Sequence, residues 1–240
     1  MQGEGTGGRP EAIVLAGGFG TRLQSVVSDV PKPMAPVAGR PFLCYLLDSL
    51  LRQGYTRAVL ATGYLHEKVE SYFGTDYHGL ALAYARETEP LGTGGAMVNA
   101  LQHCHSESVT VLNGDTLLLA DLRDFQLFYL QQRTPLAVVL RTVEDAGRYG
   151  AVDIDADGRI TSFHEKDPQH GAGLINGGIY QISRSLLDAY AVGEPFSFER
   201  EVLQRRYRDE AFYGYRTEGY FIDIGVPDDY RRAQSELPLL

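Results

Sequence analysis

Three glycines within four positions, followed by an arginine and a more distant lysine, form a pattern that could bind a polyphosphate. Gly17, Gly18 and Gly20 carry no Cβ atom, so this loop can turn sharply and bring backbone N–H groups against an anion. Arg22 adds a planar guanidinium group whose donors suit phosphate oxygens. Lys32 lies between two prolines, which stiffen the segment that carries its ammonium group. The residue types and their spacing therefore predict a loop that holds several phosphate groups.

Two better-known glycine motifs do not fit this loop. The dinucleotide-binding fingerprint requires a third glycine where this chain has Leu23. The P-loop requires Gly-Lys followed by Ser or Thr, and no such tripeptide follows the glycines. An ordinary glycine-rich turn between a strand and a helix remains the alternative for the loop alone, and the addition of Lys32 favours phosphate binding.

Two aspartates in apolar surroundings could bind a metal ion. Asp115 follows an apolar run at the carboxyl end of a predicted strand, the edge where open α/β sheets bind ligands. Asp223 lies inside the apolar run 220–225, where a charge is costly unless it is paired or bound to a metal. Two carboxylates together with phosphate oxygens and water molecules would suit octahedral Mg²⁺. A turn role for Asp115 and a buried salt bridge for Asp223 are the alternatives that the residues leave open.

The composition is typical of a globular protein. Of the 240 residues, 44% are hydrophobic and 22% are charged, and the formal net charge of −9 argues against nucleic-acid and membrane partners, which attract basic surfaces. Two cysteines provide no disulfide framework, and no apolar run of about 18 residues could span a bilayer, so we expect a cytoplasmic location. Residues 1–10 contain four glycines and are predicted to form a flexible leader to a single domain over residues 11–240.

A buried strand must hold the glycine loop, and the apolar run at 12–16 predicts one directly before it. Strand-like and helix-like segments then alternate, which predicts a mixed, mostly parallel sheet with helices on both faces. The further strands predicted in this half are 57–62, 80–85, 109–112 and 136–142, and the predicted helices are 41–53, 66–73, 125–132 and one that ends near 104.

The second half has a different pattern, with short strands separated by turns. An Asp157-Gly158 turn between predicted strands at 150–154 and 159–163 indicates a hairpin. The other predicted strands are 174–182, 212–216 and 220–224, and the predicted helices begin near 183, 198 and 227. Residues from about 145 to 216 are predicted to lie over the sheet as a subregion of the same domain.

The Gly-Gly-x-Gly-Thr-Arg-Leu loop and the following Pro-Lys-Pro resemble the signature of the sugar-phosphate nucleotidylyltransferase family. The resemblance implies a single-domain Rossmann-like α/β fold of the nucleotide-diphospho-sugar transferase type. It also implies catalytic roles for Arg22 and Lys32, which would neutralise the triphosphate, and an Mg²⁺ ion bound by Asp115 and Asp223. The nucleotide-binding residues that it implies are Leu15, Ala16, Gly17, Gly18, Gly20, Thr21, Arg22, Glu87, Glu89, Pro90, Gly92, Thr93, Asn113 and Gly114.

The turn from residue 87 to residue 95 resembles the base-recognition loop of the guanylyltransferases in this family. A carboxylate can accept hydrogen bonds from guanine N1–H and from the exocyclic amine at once, so Glu87 or Glu89 could read the base of GTP. The alternative for Glu89 is that it caps the following helix.

Three further segments resemble the elements with which the family binds its sugar 1-phosphate acceptor. Gly150 would approach the sugar with its backbone, and a Glu-Lys pair would bind the sugar hydroxyls and the sugar phosphate. Asn176 and Gly177 would read further hydroxyls. The acceptor-binding residues implied are therefore Gly150, Glu165, Lys166, Asn176 and Gly177, with a solvated surface ion pair as the alternative for Glu165 and Lys166.

The motifs extend from residue 12 to about residue 231 and look most like D-glycero-α-D-manno-heptose 1-phosphate guanylyltransferases. This resemblance implies that GTP and the heptose 1-phosphate condense to GDP-heptose and pyrophosphate, for the synthesis of bacterial capsule, S-layer glycan or lipopolysaccharide. The alternatives are a mannose 1-phosphate guanylyltransferase, a thymidylyl- or uridylyltransferase that acts on another hexose 1-phosphate, and an inactive nucleotide-sugar sensor. The oligomeric state stays open, with a homodimer as one option.

Overall fold

The computed structural model describes residues 10–18, 30–164 and 171–240. In chain order its strands are β1 Glu11–Leu15, β2 Pro36–Val37, β3 Arg40–Pro41, β4 Arg57–Thr62, β5 Asp76–Tyr77, β6 Leu80–Arg86, β7 Ser108–Asn113, β8 Thr116–Leu118, β9 Leu136–Val143, β10 Val152–Ile154, β11 Ile160–Phe163, β12 Gly173–Ser183, β13 Tyr213–Thr217 and β14 Phe221–Asp223.

Two of the α-helices, Leu122–Gln132 and Pro227–Glu236, begin at start signals in the sequence. The carboxylate of Asp121 accepts hydrogen bonds from the backbone N–H groups of Arg123 and Asp124 at 3.0 and 2.9 Å, and Pro227 occupies the first turn of the last α-helix. The α-helices are α1 Phe42–Arg52, α2 His66–Phe73, α3 Gly92–Leu101, α4 Leu122–Gln132, α5 Gln204–Arg206 and α6 Pro227–Glu236. Short 3₁₀ turns lie at Lys32–Met34, Ala146–Arg148, Arg184–Leu187 and Leu237–Leu239, and a π-helical turn at Glu199–Leu203 leads into α5.

A large mixed sheet forms the centre of the molecule. Within the described residues it has eight strands in the order β13-β9-β12-β7-β1-β4-β6-β5. The pairs β1–β4, β1–β7, β4–β6 and β9–β13 are parallel, whereas β12 and β5 run antiparallel to their neighbours. The strand β1 therefore lies in the interior of the sheet, as its uninterrupted apolar sequence predicts.

Both faces of the sheet are covered by apolar side chains. In β1, Ala12 and Val14 pack in a cluster with residues of α1, α2, α4 and α6, whereas Ile13 points to the other face and packs with residues of α3. The helical segments near Leu186 and Val202 cover that second face as well. The predicted fold class, a mostly parallel mixed sheet with helices on both faces, is confirmed.

The segment from about 145 to 216 contributes both to the sheet and to the layer over it. The predicted hairpin is present, because β10 and β11 pair antiparallel around Gly158, whose φ of +85° is readily accessible to glycine. The strand β12 departs from the expected position over the sheet, because it lies within it between β7 and β9. The small ladder between β8 and β14 was not predicted. No helix in the described ranges is both long and apolar enough to cross a membrane.

Candidate functional site

A cavity of about 300 Å³ opens at the carboxyl ends of the central strands. Leu15 at the end of β1 and Asn113 at the end of β7 form its floor, and Glu87, directly after β6, forms part of its wall. Open α/β sheets bind ligands at this edge, because loops from adjacent parallel strands converge there. The cavity is therefore the candidate active site.

A lysine and two aspartates meet at one end of this cavity. Lys32 lies in a 3₁₀ turn with Pro33 in its first turn. Its Nζ atom donates to Asp115 Oδ2 and lies 3.9 Å from Asp223 Oδ1, and its side chain is only 11% exposed. The ammonium group therefore lies between two carboxylates and balances part of their charge.

The ladder between β8 and β14 brings the two carboxylates together. Thr116, the first residue of β8, is opposite Asp223, the last residue of β14. The backbone N–H of Ile224 donates to the carbonyl oxygen of Asp115 at 3.0 Å, which continues the pairing. Asp223 Oδ1 also accepts a hydrogen bond from the N–H of Gly225 at 2.7 Å. The positions of both side chains thus depend on backbone hydrogen bonds.

The donor set is suitable for a hard divalent cation that also binds substrate. Asp115 and Asp223 both offer oxygen ligands, which Mg²⁺ prefers. In the part of the chain that the structure describes, no group of three or more His, Cys, Asp or Glu residues could hold a metal. A Mg²⁺ ion held by two carboxylates would have further coordination positions, which phosphate oxygens and water can fill.

The side of the cavity that is predicted to bind the nucleotide, here called the nucleotide side, is formed by closely packed residues. A Cβ atom on Gly114 would lie 2.4 Å from the carbonyl oxygen of Leu15, to which the Gly114 N–H donates at 3.0 Å. A Cβ atom on Gly17 would lie 2.7 Å from Glu87 Oε1. At Gly114 the added atom would meet rigid backbone, so glycine is required there, whereas at Gly17 the side chain of Glu87 would have to move.

The carboxyl group of Glu87 is held at the wall of the cavity. Its Oε2 atom accepts a hydrogen bond from the N–H of Leu91 at 3.1 Å, and its own N–H donates to Thr62 at 2.7 Å. Burial raises the pKa of Glu87, although the hydrogen bond from Leu91 acts in the opposite direction. Glu89 is exposed and does not line the cavity. The capping interpretation of Glu89 is wrong, because no side chain caps the start of α3.

The region predicted to bind the acceptor, here called the acceptor side, lies next to Asn113, which Gly178 contacts, but its described residues are not among those that line the cavity. An antiparallel bridge between Ala151 and Ile175 brings Gly150 beside Asn176. Asn176 Nδ2 donates to the hydroxyl of Tyr180 at 2.9 Å, and its Oδ1 accepts from the N–H of Gly178 at the same distance. These bonds hold the amide of Asn176 within an irregular stretch of β12, where the register shifts between Asn176 and Tyr180.

A buried aspartate anchors the turn that precedes Gly150. Asp229 Oδ2 accepts from Arg148 Nη2 at 3.2 Å and from the Tyr149 hydroxyl at 3.4 Å, and Oδ1 accepts from Arg232 at 2.9 Å. Burial and the neighbouring carboxylate of Asp229 raise the pKa of Tyr149 to about 12. The ring of Tyr149 also makes an edge contact with Phe221 at a centroid distance of 5.4 Å. The 3₁₀ turn is therefore tied to α6 and to β14.

Residues 11–238 match the family described as Nucleotidyl transferase. The chain belongs to the nucleotidyl transferase family. It is 46% identical to the D-glycero-alpha-D-manno-heptose 1-phosphate guanylyltransferase of Aneurinibacillus thermoaerophilus over 95% of this chain and 98% of that protein. It is 41% identical to the enzyme of the same name from Campylobacter jejuni over 92% of this chain and 96% of that protein.

A solved structure shows the same nucleotidyl transferase fold. HddC from Yersinia pseudotuberculosis, crystallised in complex with GMP-PN, has a TM-score of 0.85 to this chain at 37% sequence identity. The match covers 95% of this chain and 99% of HddC. The family, the fold type and the likeness to heptose 1-phosphate guanylyltransferases inferred from the sequence are confirmed.

The structure brings most of the predicted site residues that it describes to one cavity. The predicted residues that line it are Leu15, Gly17, Gly18, Lys32, Glu87, Pro90, Gly92, Thr93, Asn113, Gly114 and Asp115. Ala16 does not line it, because it is buried and its N–H donates to Ala61 within the sheet at 2.8 Å. Asp223 reaches the site through Lys32, whereas Gly150, Asn176 and Gly177 do not line the cavity, and their roles stay predictions.

Some predicted residues cannot be placed, and others were missed. Gly20, Thr21, Arg22, Glu165 and Lys166 lie outside the described residues, so their roles stay predictions. Pro33 and Ala96 line the cavity but were not predicted as site residues. The sequence does contain signals for both, since Pro33 belongs to the Pro-Lys-Pro segment and Ala96 follows the glycine-rich turn.

Proposed function

We propose that this protein transfers a guanylyl group from GTP to D-glycero-α-D-manno-heptose 1-phosphate, which yields GDP-heptose and pyrophosphate. The observation that carries the proposal is 46% identity, over 98% of its length, to a relative named for this activity. The product would serve bacterial surface polysaccharide synthesis. Because nucleoside triphosphates and sugar phosphates are cytoplasmic metabolites, we place the reaction in the cytoplasm.

The proposed reaction is an in-line displacement at phosphorus. A phosphate oxygen of the heptose 1-phosphate attacks the α-phosphorus of GTP, the bond from that phosphorus to the bridging β-phosphate oxygen breaks, and pyrophosphate leaves with the electron pair. The nucleophile is already an anion, so the step needs no general base. Catalysis then consists of positioning and of stabilising the charge that spreads over the α-phosphate.

Lys32 is the described residue best placed to stabilise that charge. Its ammonium group lines the cavity and is 11% exposed, so it acts where water screens little. Asp115 and Asp223 hold the ammonium group in position, and they would also hold Mg²⁺. When bound, Mg²⁺ would supply further charge neutralisation at the phosphate oxygens. Arg22 is proposed to hold the triphosphate from the glycine loop, in agreement with its place in the sequence motif.

Glu87 is the proposed reader of the guanine base. Its carboxyl group lies in the cavity wall beside Gly17 and next to the turn that carries Pro90 and Gly92. An ionised carboxylate accepts from guanine N1–H and from the exocyclic amine, whereas adenine has no donor at N1. The complex of HddC with GMP-PN supports a guanine nucleotide as the ligand of this fold.

The acceptor is proposed to bind between Gly150 and Asn176, with Gly177 beside them. Asn176 is pre-oriented by its bonds to Tyr180 and Gly178, so its amide is held for hydroxyl recognition. Glu165 and Lys166 are proposed to bind the sugar hydroxyls and the phosphate, as in the sequence motif that they resemble.

The test is Mg²⁺-dependent pyrophosphate release over a grid of four nucleoside triphosphates and several sugar 1-phosphates. We expect release with GTP and D-glycero-α-D-manno-heptose 1-phosphate and none without Mg²⁺. Preference for mannose 1-phosphate would change the acceptor, and release with dTTP or UTP would contradict the assignment of the base. Nucleotide binding without release for every pair would favour a sensor. The Lys32→Ala variant is the inactive control.

A further inference from the structure

The turn that carries Pro90 and Gly92 is held from outside by a distant segment. We call residues 194–199 the clamp segment. The N–H of Phe196 donates to the carbonyl of Leu91 at 2.9 Å, and the carbonyl of Phe196 accepts from the N–H of Gly94 at 3.0 Å. Both backbone groups of one clamp residue are therefore paired with the turn.

The two segments pack without spare room. A Cβ atom on Gly94 would lie 2.0 Å from the ring of Phe196, and one on Gly95 would lie 2.4 Å from the carbonyl oxygen of Glu194. The ring of Phe196 stacks on Tyr190 at a centroid distance of 4.0 Å and an interplanar angle of 11°. The clamp segment is thus supported on its other side, and it can hold the turn in one position.

A half-buried carboxylate joins the two segments at the start of α3. The hydroxyl of Thr93 donates to Glu199 Oε2 at 2.6 Å and accepts from the N–H of Phe198 at 2.9 Å. The hydroxyl of Ser197 donates to the same Glu199 oxygen at 2.9 Å. Hydrogen bonds to an ionised group are stronger than those between neutral groups. Glu199 therefore provides the main polar connection between Thr93 and the clamp segment.

We propose that Glu199 is a positioning residue for nucleotide recognition. Glu199 does not line the cavity, whereas Thr93, Gly92 and Pro90 do. By holding Thr93, Glu199 keeps this turn in place across the cavity from Lys32, so the turn is already ordered when the nucleotide arrives. A wall ordered in advance binds more tightly than one that must be ordered on binding. This inference rests on the proposed function in that the ligand is taken to be GTP.

The experiment compares GTP binding by calorimetry among variants of the full chain. We expect Glu199→Ala to weaken GTP binding about tenfold and Glu199→Gln about threefold, because glutamine keeps an acceptor oxygen but loses the charge. Glu201→Gln is the matched control on the same helical turn, where Glu201 pairs with Arg205, and we expect its affinity to stay within about twofold of the wild type.

The Thr93 variants test whether Glu199 acts through Thr93. Thr93→Val removes the hydroxyl and should weaken GTP binding as Glu199→Ala does, and the double variant should lose little more, because both changes break one connection. Thr93→Ser keeps the hydroxyl, so it should weaken GTP binding less than Thr93→Val does. Independent, additive losses in the double variant would overturn the inference.

The KM for the second substrate, the heptose phosphate, distinguishes the proposed positioning role of Glu199 from a purely structural role. Under the inference, Glu199→Ala raises the KM for GTP while the KM for the heptose phosphate at saturating GTP stays within about twofold. Equal increases in both KM values with a lowered melting temperature would overturn the inference, and so would wild-type GTP affinity in Glu199→Ala. Failure of wild-type protein to bind GTP would instead refute the proposed function.

Discussion

The nucleotide side and the acceptor side depend on different kinds of contact. On the nucleotide side, the backbone of Gly114 is packed so closely against Leu15 that no side chain fits. On the acceptor side, the local structure depends on side-chain hydrogen bonds of Asn176 and Asp229. Changes on the nucleotide side should therefore disturb the fold together with binding, whereas those on the acceptor side should alter recognition of the sugar phosphate and leave the sheet intact.

The largest effect is expected at the cluster of Lys32, Asp115 and Asp223, here called the centre. Lys32→Ala and Asp223→Ala should each lower turnover by about two orders of magnitude or more, because each removes a preorganised charge. Turnover is measured by pyrophosphate release under saturating substrates. Lys68→Ala changes an exposed lysine on α2 and serves as the control. Wild-type turnover in either centre variant would exclude that residue from the mechanism.

Gly114 and Gly18 on the nucleotide side allow a comparison of a closely packed position with an open one. Gly114→Ala should destabilise the protein by about 1–3 kcal/mol, because its methyl group meets the carbonyl oxygen of Leu15. Gly18→Ala should leave the free energy of unfolding nearly unchanged, because no atom of the described residues lies within 4 Å of the added atom. Urea denaturation without ligand measures both. Equal stability of the two variants would mean that the strand ends can separate at no cost.

The proposed recognition of guanine by Glu87 provides the next test. Glu87→Gln should reduce the preference for GTP over ATP about tenfold, whereas Glu89→Gln should leave it unchanged, because only Glu87 lines the cavity. The preference is measured as the ratio of kcat/KM values. An equal loss of the preference for GTP in both variants would indicate that Glu89 also contributes to base recognition.

The raised pKa of Glu87 predicts that the stability of the folded protein depends on pH. Burial raises this pKa above 4.5, so the folded state holds the proton more tightly than the unfolded state does. The stabilising contribution of protonated Glu87 is therefore lost as pH rises from the ordinary value through the raised one. Glu87→Gln carries no such loss, so its melting temperature relative to the wild type should increase from about pH 4 to pH 7. A difference that does not change with pH would contradict the raised pKa.

The smallest effect is expected on the acceptor side. Asp229→Asn should raise the KM for the sugar phosphate about threefold and leave the KM for GTP unchanged, because Asp229 anchors the turn before Gly150. Asp228→Asn is the neighbouring control, since Asp228 is exposed and pairs with Arg231. An increase in the KM for GTP instead would show that the two sides are not independent.

Local patterns in the sequence predict the elements well, and the contacts between distant elements much less well. The apolar run of β1 and the glycines that follow it were sufficient to predict a buried strand that ends at the cavity. The ladder between β8 and β14 was missed, because β8 has only three residues and its partner lies far along the chain. The roles of Glu199 and Asp229 depend on such long-range contacts, so no local pattern indicates them. The position of β12 inside the sheet was missed for the same reason.

The β8–β14 ladder also has a consequence for synthesis on the ribosome. In the described residues, every strand of the large sheet precedes β14 in the chain. A nascent chain that ends before Phe221 contains all of those strands but only Asp115 of the two carboxylates. Lys32 and Asp115 then have no net charge between them, and the negative charge that attracts a divalent cation is added only when Asp223 emerges. The elongating chain therefore contains all described strands of the large sheet before it contains both carboxylates of the candidate metal site.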